Sequence, residues 1–357
     1  MRKPDPRAII RSALILPVLV LLVTVACRNS GTGSMAGTDT AGKTIATDSL
    51  TPGMLDSLIR KDPKNPELFA KRAALLAEKK SYSQALNDIT IALKLDSTKP
   101  GYYISQAEYY IFSGEPNSAK KGLNTCLRIF PDNPDVLLKM AEIHLYLKEY
   151  GQAKMVLQQV MPINDDIAQI YFIQGVVALE TGDTVGALRN FQVTIDKEPE
   201  YYAAYIQAGK IYASQHDDLA IQYLKSAIDL QPGMYEAHYL LGFFYQEHNL
   251  LDEAMQEYDF ISTQIDSTLP DPYFNRGYIE MVYRANYGEA AEWFSKAIKW
   301  NPGHADSWYN RGFSYELDGQ LSKARADYEK AMELQPNYPL AIKGINRIAD
   351  GKPLKRK

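Results

Sequence analysis

Few residues in this chain stand at spacings that support catalysis. Its 357 residues contain two cysteines, Cys27 and Cys126, and five histidines. That is too few thiols for a disulfide scaffold or a cysteine-rich zinc site. The histidines are scattered, and none is paired in sequence with a nucleophile it could activate. A glycine-rich phosphate loop, HExxH, CxxC and GxSxG are all absent from the sequence. No catalytic residue, metal ligand or cofactor site is assigned, and an enzyme is not expected. The residues that invite attention are instead aromatic: 25 Tyr against 11 Phe and 3 Trp. Rings at that density serve packing or adhesion, and their spacing must decide which.

Composition narrows the classes further. A hydrophobic share of 46% is too high for a disordered chain. With 39 basic and 43 acidic residues the formal charge is −4, so binding to nucleic acid through bulk charge is not expected. A small-molecule substrate is not expected either.

Cys27 has a context of its own. Arg2, Lys3, Arg7 and Arg11 precede an apolar run from Ser12 to Ala26, which ends at Cys27. A basic start followed by a short apolar stretch reads as a secretory signal peptide over 1–26. The run is shorter than the ~20 residues a membrane-crossing helix needs. Val23-Thr24-Val25-Ala26-Cys27 resembles a bacterial lipobox, departing from it at Thr24. The resemblance implies lipid on the Cys27 sulfur and a protein anchored in the cell envelope, at the outer membrane and facing the periplasm. An ordinary signal peptide cut after Ala26, or an uncleaved anchor, are the alternatives. Residues 27–48 are mostly Gly, Ser, Thr and Ala, a composition that builds no core. As a flexible tether, twenty such residues reach ~25 Å.

Most of the chain beyond the tether repeats. Ala119, Leu123, Cys126 and Pro131 recur as Ala187, Phe191, Thr194 and Pro199, then as Ala220, Leu224, Ala227 and Pro232. The same spacing returns at Ala290, Phe294, Ala297 and Pro302, and at Ala324, Tyr328, Ala331 and Pro336. A small residue lies about twelve positions upstream: Ala107, Gly175, Gly277 or Gly312. Two amphipathic helices packed antiparallel explain the pattern, with the small residues where their axes approach and Pro after the second helix. Such a pair cannot bury its apolar faces alone, so neighbours must stack.

These residues resemble the tetratricopeptide repeat, best in Trp308, Arg311, Gly312, Tyr315, Ala324, Tyr328, Ala331 and Pro336. Eight repeats are expected over 65–336, opening near Pro66, Pro100, Pro134, Ala168, Tyr202, Tyr235, Pro270 and Ala305. One-residue irregularities near 215–220 and 284–287 are expected between the two helices of their repeats. A capping helix is expected over 49–64, another over 337–350, and a basic tail over 351–357. The resemblance thus implies an all-α, right-handed superhelical solenoid forming one continuous array. Tyr110, Tyr171, Tyr205, Tyr212, Tyr245, Tyr258, Tyr315 and Tyr328 then fall at core positions, and Cys126 takes a buried small-residue place.

The resemblance also implies where a partner would sit. In that family the first helix of each repeat lines an inner surface through its second, fifth, ninth and twelfth positions. Carried over, these positions place Phe172 and the pairs Tyr239/Phe243, Phe274/Tyr278 and Tyr309/Phe313 on that surface. Glu236, Asp271 and Asp306 stand beside the last three pairs. The family's Lys/Asn clamp for peptide carboxylates is absent, with Ala70, Ala74, Ile104 and Glu108 in its place. Two readings of the rings stay open, a binding wall or simple core. As a wall they imply a scaffold or adaptor for protein–protein interaction, taking segments with apolar anchors and basic residues. Glycan or cell-wall binding by the same rings is the alternative, with Asn275 and Asn310 as the polar groups it requires.

Overall fold

The computed structural model describes residues 37–38, 44–45 and 51–354. The signal-peptide and lipid-attachment readings, Cys27 included, therefore lie outside the described residues. Gly37–Thr38 and Thr44–Ile45 pair as a two-residue antiparallel ladder. From Pro52 onward the described chain is all-α, with eighteen α-helices.

The chain divides into two compact units, one ending at Pro199 and the other beginning at Glu200. The two units adjoin in sequence at Pro199, the proline that closes the fourth repeat. In the first unit, α1 (Pro52–Lys61) precedes the pairs α2 (Pro66–Glu78) and α3 (Tyr82–Leu95), and α4 (Pro100–Phe112) and α5 (Pro116–Ile129). The pairs α6 (Pro134–Tyr146) and α7 (Tyr150–Val160), and α8 (Ala168–Glu180) and α9 (Thr184–Lys197), complete it. The second unit holds α10 (Tyr202–Ser214) with α11 (Leu219–Leu230), and α12 (Tyr235–Glu247) with α13 (Leu251–Phe260). It continues with α14 (Pro270–Tyr278) and α15 (Tyr287–Trp300), then α16 (Ala305–Leu317) and α17 (Leu321–Leu334), and ends on α18 (Pro339–Ala349).

Local sequence fixes these boundaries. Proline opens α2, α4, α6, α14 and α18, where its missing N–H is one the helix start leaves unpaired anyway. Asn65, Asn133 and Asp183 accept hydrogen bonds from the first turns they precede. Each turn inside a pair closes on a residue in the left-handed region: Lys80, Gly114, Lys148, Gly182, His216, Asn249, Ala285 and Gly319. That conformation reverses the chain within three or four residues.

The helices of a pair meet through the small residues. On the first helix these are Ala73, Ala107, Ala141, Gly175, Gly209, Gly242, Gly277 and Gly312, and the five glycines each face a large side chain of the second. An added Cβ at Gly175 would lie 2.6 Å from the Phe191 ring, and one at Gly277 2.9 Å from Phe294. Ile89, Leu123, Leu157, Phe191, Leu224, Tyr258, Phe294 and Tyr328 are buried there and form the core of each pair. Cys126 is buried among them, and burial pushes its thiol up to about 11. Of the eight tyrosines assigned to the core, Tyr245, Tyr258 and Tyr328 are buried, while the other five are half-buried.

Repeat openings lie 34 residues apart four times, then 33, 35 and 35. The two longer repeats carry their extra residue inside a helix. Ile261–Ile265 continues α13, and Ile279–Tyr283 continues α14, each as a π-helical turn. The irregularity near 284–287 is thus corrected from the turn to the first helix of its repeat, where an i→i+5 turn absorbs one residue without breaking the helix. On α18, Ala341 and Gly344 face the core, while Leu340 and Ile342 are exposed. The backbone at Gly344 runs so close that a Cβ would meet the Tyr328 ring at 2.4 Å.

Candidate functional site

The rings read as an inner wall divide into two groups. Phe172 is buried against Phe191, ring centroids 5.7 Å apart, and offers no surface. Phe274 is buried edge-on to Phe294 at 5.5 Å and His304 at 5.3 Å, and Tyr278 is buried beside Tyr283. These three positions are core, because helix pairs of a stack press their inner-facing residues against neighbours as well as toward the open side. Tyr239, Phe243, Tyr309 and Phe313 are half-buried. Each pair is four residues apart on one helix, so its rings lie on one face.

The two pairs differ in their surroundings. Tyr239 of α12 stacks on Tyr235 at 5.2 Å and leans on Tyr258 at 6.3 Å. Burial pushes its hydroxyl up to about 12. Tyr309 of α16 stacks on Phe313 at 6.0 Å and is flanked by Tyr328 at 5.7 Å and Tyr338 at 5.3 Å. Its hydroxyl is likewise pushed up to about 12 by burial. Tyr338, the N-cap residue of α18, therefore covers part of the Tyr309 ring.

The carboxylates expected beside the rings are present, and each has an internal partner. Glu236 accepts from Lys210 Nζ at 2.5 Å. Asp271 accepts from the Tyr235 hydroxyl at 3.2 Å and is exposed. Asp306 accepts from the Tyr338 hydroxyl and stays about half exposed. Tyrosines thus use their hydroxyls to hold an acidic residue of the next repeat or, for Tyr338, the preceding one. Sequence reasoning assigned tyrosines to core or wall and missed this role. An opening Tyr one repeat before an acidic second position, as in Tyr235 and Asp271, is the signal that could have found it.

In the first unit the ninth position is a carboxylate in two repeats, Glu108 and Glu142. Lys139 donates to Glu108 at 2.9 Å and to Glu142 at 2.7 Å, and the amide of Gln169 also donates to Glu142. Two amides of the second unit that glycan binding would need at the surface, Asn275 and Asn310, are only 4% and 8% exposed. The histidines are absorbed by structure. His238 is buried, with Nδ1 2.6 Å from Glu257 and Nε2 3.0 Å from the Pro232 carbonyl, and His144 Nδ1 lies 2.6 Å from Glu149. Among the described residues no group of three or more metal-ligating side chains converges. No described helix is long and apolar enough to cross a membrane.

The fold is that of an all-α protein of stacked helix-turn-helix repeats. Comparison with known proteins identifies the repeat: tetratricopeptide-repeat models match residues 305–338 and 135–161. Among curated proteins, the BBSome complex member BBS4 homolog of Drosophila melanogaster is 25% identical over 50% of this chain and 38% of its own length. Human protein O-mannosyl-transferase TMTC1 is 20% identical over 69% of this chain. The chain spans only 24% of that enzyme, and less than half of the first curated relatives it matches. Among solved structures, the C-terminal part of a TPR repeat-containing protein from Cytophaga hutchinsonii superposes with a TM-score of 0.58 at 18% identity. That match covers 68% of this chain and 99% of the other, and it shows the fold.

Proposed function

We propose that this chain is a non-catalytic scaffold, tethered to the membrane of a bacterial cell envelope, that holds segments of partner proteins against the ring face of α12. The observation that carries the reading is the pair Tyr239 and Phe243, two large half-buried rings on one helix face with exposed Asp271 on the following repeat. Aromatic side chains give large contact area at low entropic cost and dominate interface hot spots. A segment with apolar anchors and Lys or Arg suits such a surface, and its affinity should fall with added salt. The Drosophila relative is by name a member of a complex, which agrees with a scaffolding role.

The test is capture of partners from detergent-solubilised envelope by the intact chain and by a Tyr239→Ala/Phe243→Ala variant. Loss of the specifically captured proteins, with far-UV helicity unchanged, is the expected result. Unchanged capture by a folded variant would move the site elsewhere.

The anchor in this reading is lipid on Cys27, at the outer membrane and facing the periplasm. Its support is the basic residues before the apolar run, Ala26 before the thiol and Arg28 after it. An alkyne fatty acid should label the wild-type protein and leave Cys27→Ser unlabelled. Equal labelling of both removes the anchor from the reading without touching the scaffold.

A further inference from the structure

Glu316 stands three residues beyond Phe313 and seven beyond Tyr309 on α16, so the three side chains share one helix face. Its carboxylate has 0% exposure, yet four donors converge on it. Arg347 of α18 donates from Nε at 3.0 Å and from Nη2 at 2.7 Å. The Tyr328 hydroxyl of α17 donates at 2.6 Å. The fourth donor is the backbone N–H of Leu354, at 3.0 Å, from a stretch beyond the last helix.

That last contact is not required by the cap. Two guanidinium hydrogen bonds and a phenol already satisfy a buried carboxylate well. A segment leaving a terminal helix ordinarily runs out into solvent. Here Gly351, in the left-handed region at φ +67°, turns the chain back, and Pro353 and Leu354 become half-buried. The segment returns across 38 residues of sequence to the helix that bears the eighth repeat's rings.

We propose that Gly351–Leu354 is an intramolecular occupant of this ring face, a strap that an incoming partner segment must displace. The proposal rests on the rings being a binding surface. The strap has the composition that suits a partner of that surface: Pro353 and Leu354 are apolar, and Lys352 is basic. Its hold on Glu316 is a main-chain N–H, which a partner's own backbone can replace bond for bond. Arg347 stays behind and keeps the carboxylate paired during the exchange.

The test uses the full chain, a Leu354→Pro variant that removes the donor N–H, and a chain ending at Asp350. The probe is a fluorescein-labelled peptide, acetyl-Gly-Lys-Pro-Leu-Lys-Arg-Lys, followed by anisotropy. Both variants should bind it about tenfold or more tightly than the intact chain, because a tethered strap competes at high effective concentration. Adding Glu316→Gln to either variant should remove the gain. Equal binding by the intact and Leu354→Pro chains overturns the proposal, and so does a gain that survives Glu316→Gln. If the shortened chain loses helicity, Leu354→Pro decides by the same readings. A dimer that Leu354→Pro dissociates in sedimentation would seat the strap on a second copy and overturn the intramolecular form. Capture through Tyr239 and Phe243 is measured on another helix with the strap intact, so the two readings fail separately.

Discussion

Glu316 shows how a single residue can tie the end of the chain to a repeat. Burial works against its charge, but the Arg347 guanidinium, the Tyr328 hydroxyl and the Leu354 amide outweigh burial and hold its pKa below the ordinary carboxylate range. A depressed folded-state pKa gives stability that is present above the unfolded value, about 4.3, and lost as pH falls through the folded value. Arg347 stays charged throughout, and Tyr328 and Tyr309, raised by burial, stay protonated. Amide exchange in α18, corrected for its intrinsic pH dependence, should therefore be flat from pH 7 to 5 and accelerate below about 4. A Glu316→Gln chain should lack that step, and an identical step in both would assign the acid response to another group. None of this was legible in the sequence. Glu316 is the twelfth residue of α16, but the four donors come from 12 to 38 residues away, and only the folded chain places them together.

At the scale of elements, the sequence carried most of the information. The small residue on one helix and the large residue on its partner are a steric pair, so their spacing reports the packing directly. At Gly312 an added Cβ would lie 3.0 Å from the Asp327 Cβ, 3.1 Å from the Ala324 carbonyl oxygen and 3.1 Å from the Tyr328 ring. One of those neighbours is backbone and cannot rotate away. Gly312→Leu should therefore cost about 1–3 kcal/mol by overpacking, read as a lowered thermal or urea midpoint. Ser322→Ala, an exposed position on α17, should leave the midpoint within error. Equal midpoints for the two variants would contradict the helix register. The π-helical turns were hidden for a physical reason. One extra residue per repeat is visible in the count, but either a turn or a helix can absorb it. Packing of Ile261 and Ile279, both buried, favours the helix.

For the molecule as a whole, repetition made the number of helix pairs legible, since every pair restates the same small–large–small pattern. The division at Pro199 was not, because no Gly/Ser-rich break marks it and Pro199 is the ordinary closing proline of a repeat. The rings were legible as residues but not as surface. Phe274 and Tyr239 hold the same position in neighbouring repeats and each leans on the large residue of its partner helix, Phe294 or Tyr258, but His304 also packs on Phe274, which is buried where Tyr239 is half-buried. Stacked repeats stabilise one another mainly through adjacent contacts, so damage should spread by proximity along the stack. Regions with separate contact networks also open with separate free energies. Hydrogen exchange on the Gly312→Leu chain should thus show protection lost in α15 to α18 and unchanged over residues 51–199. Gly175→Leu, which drives a side chain into the Phe191 ring, should give the reverse, with loss in α7 to α9 and little change beyond α15. A uniform loss over both units from either substitution would mean that the chain unfolds as one cooperative body.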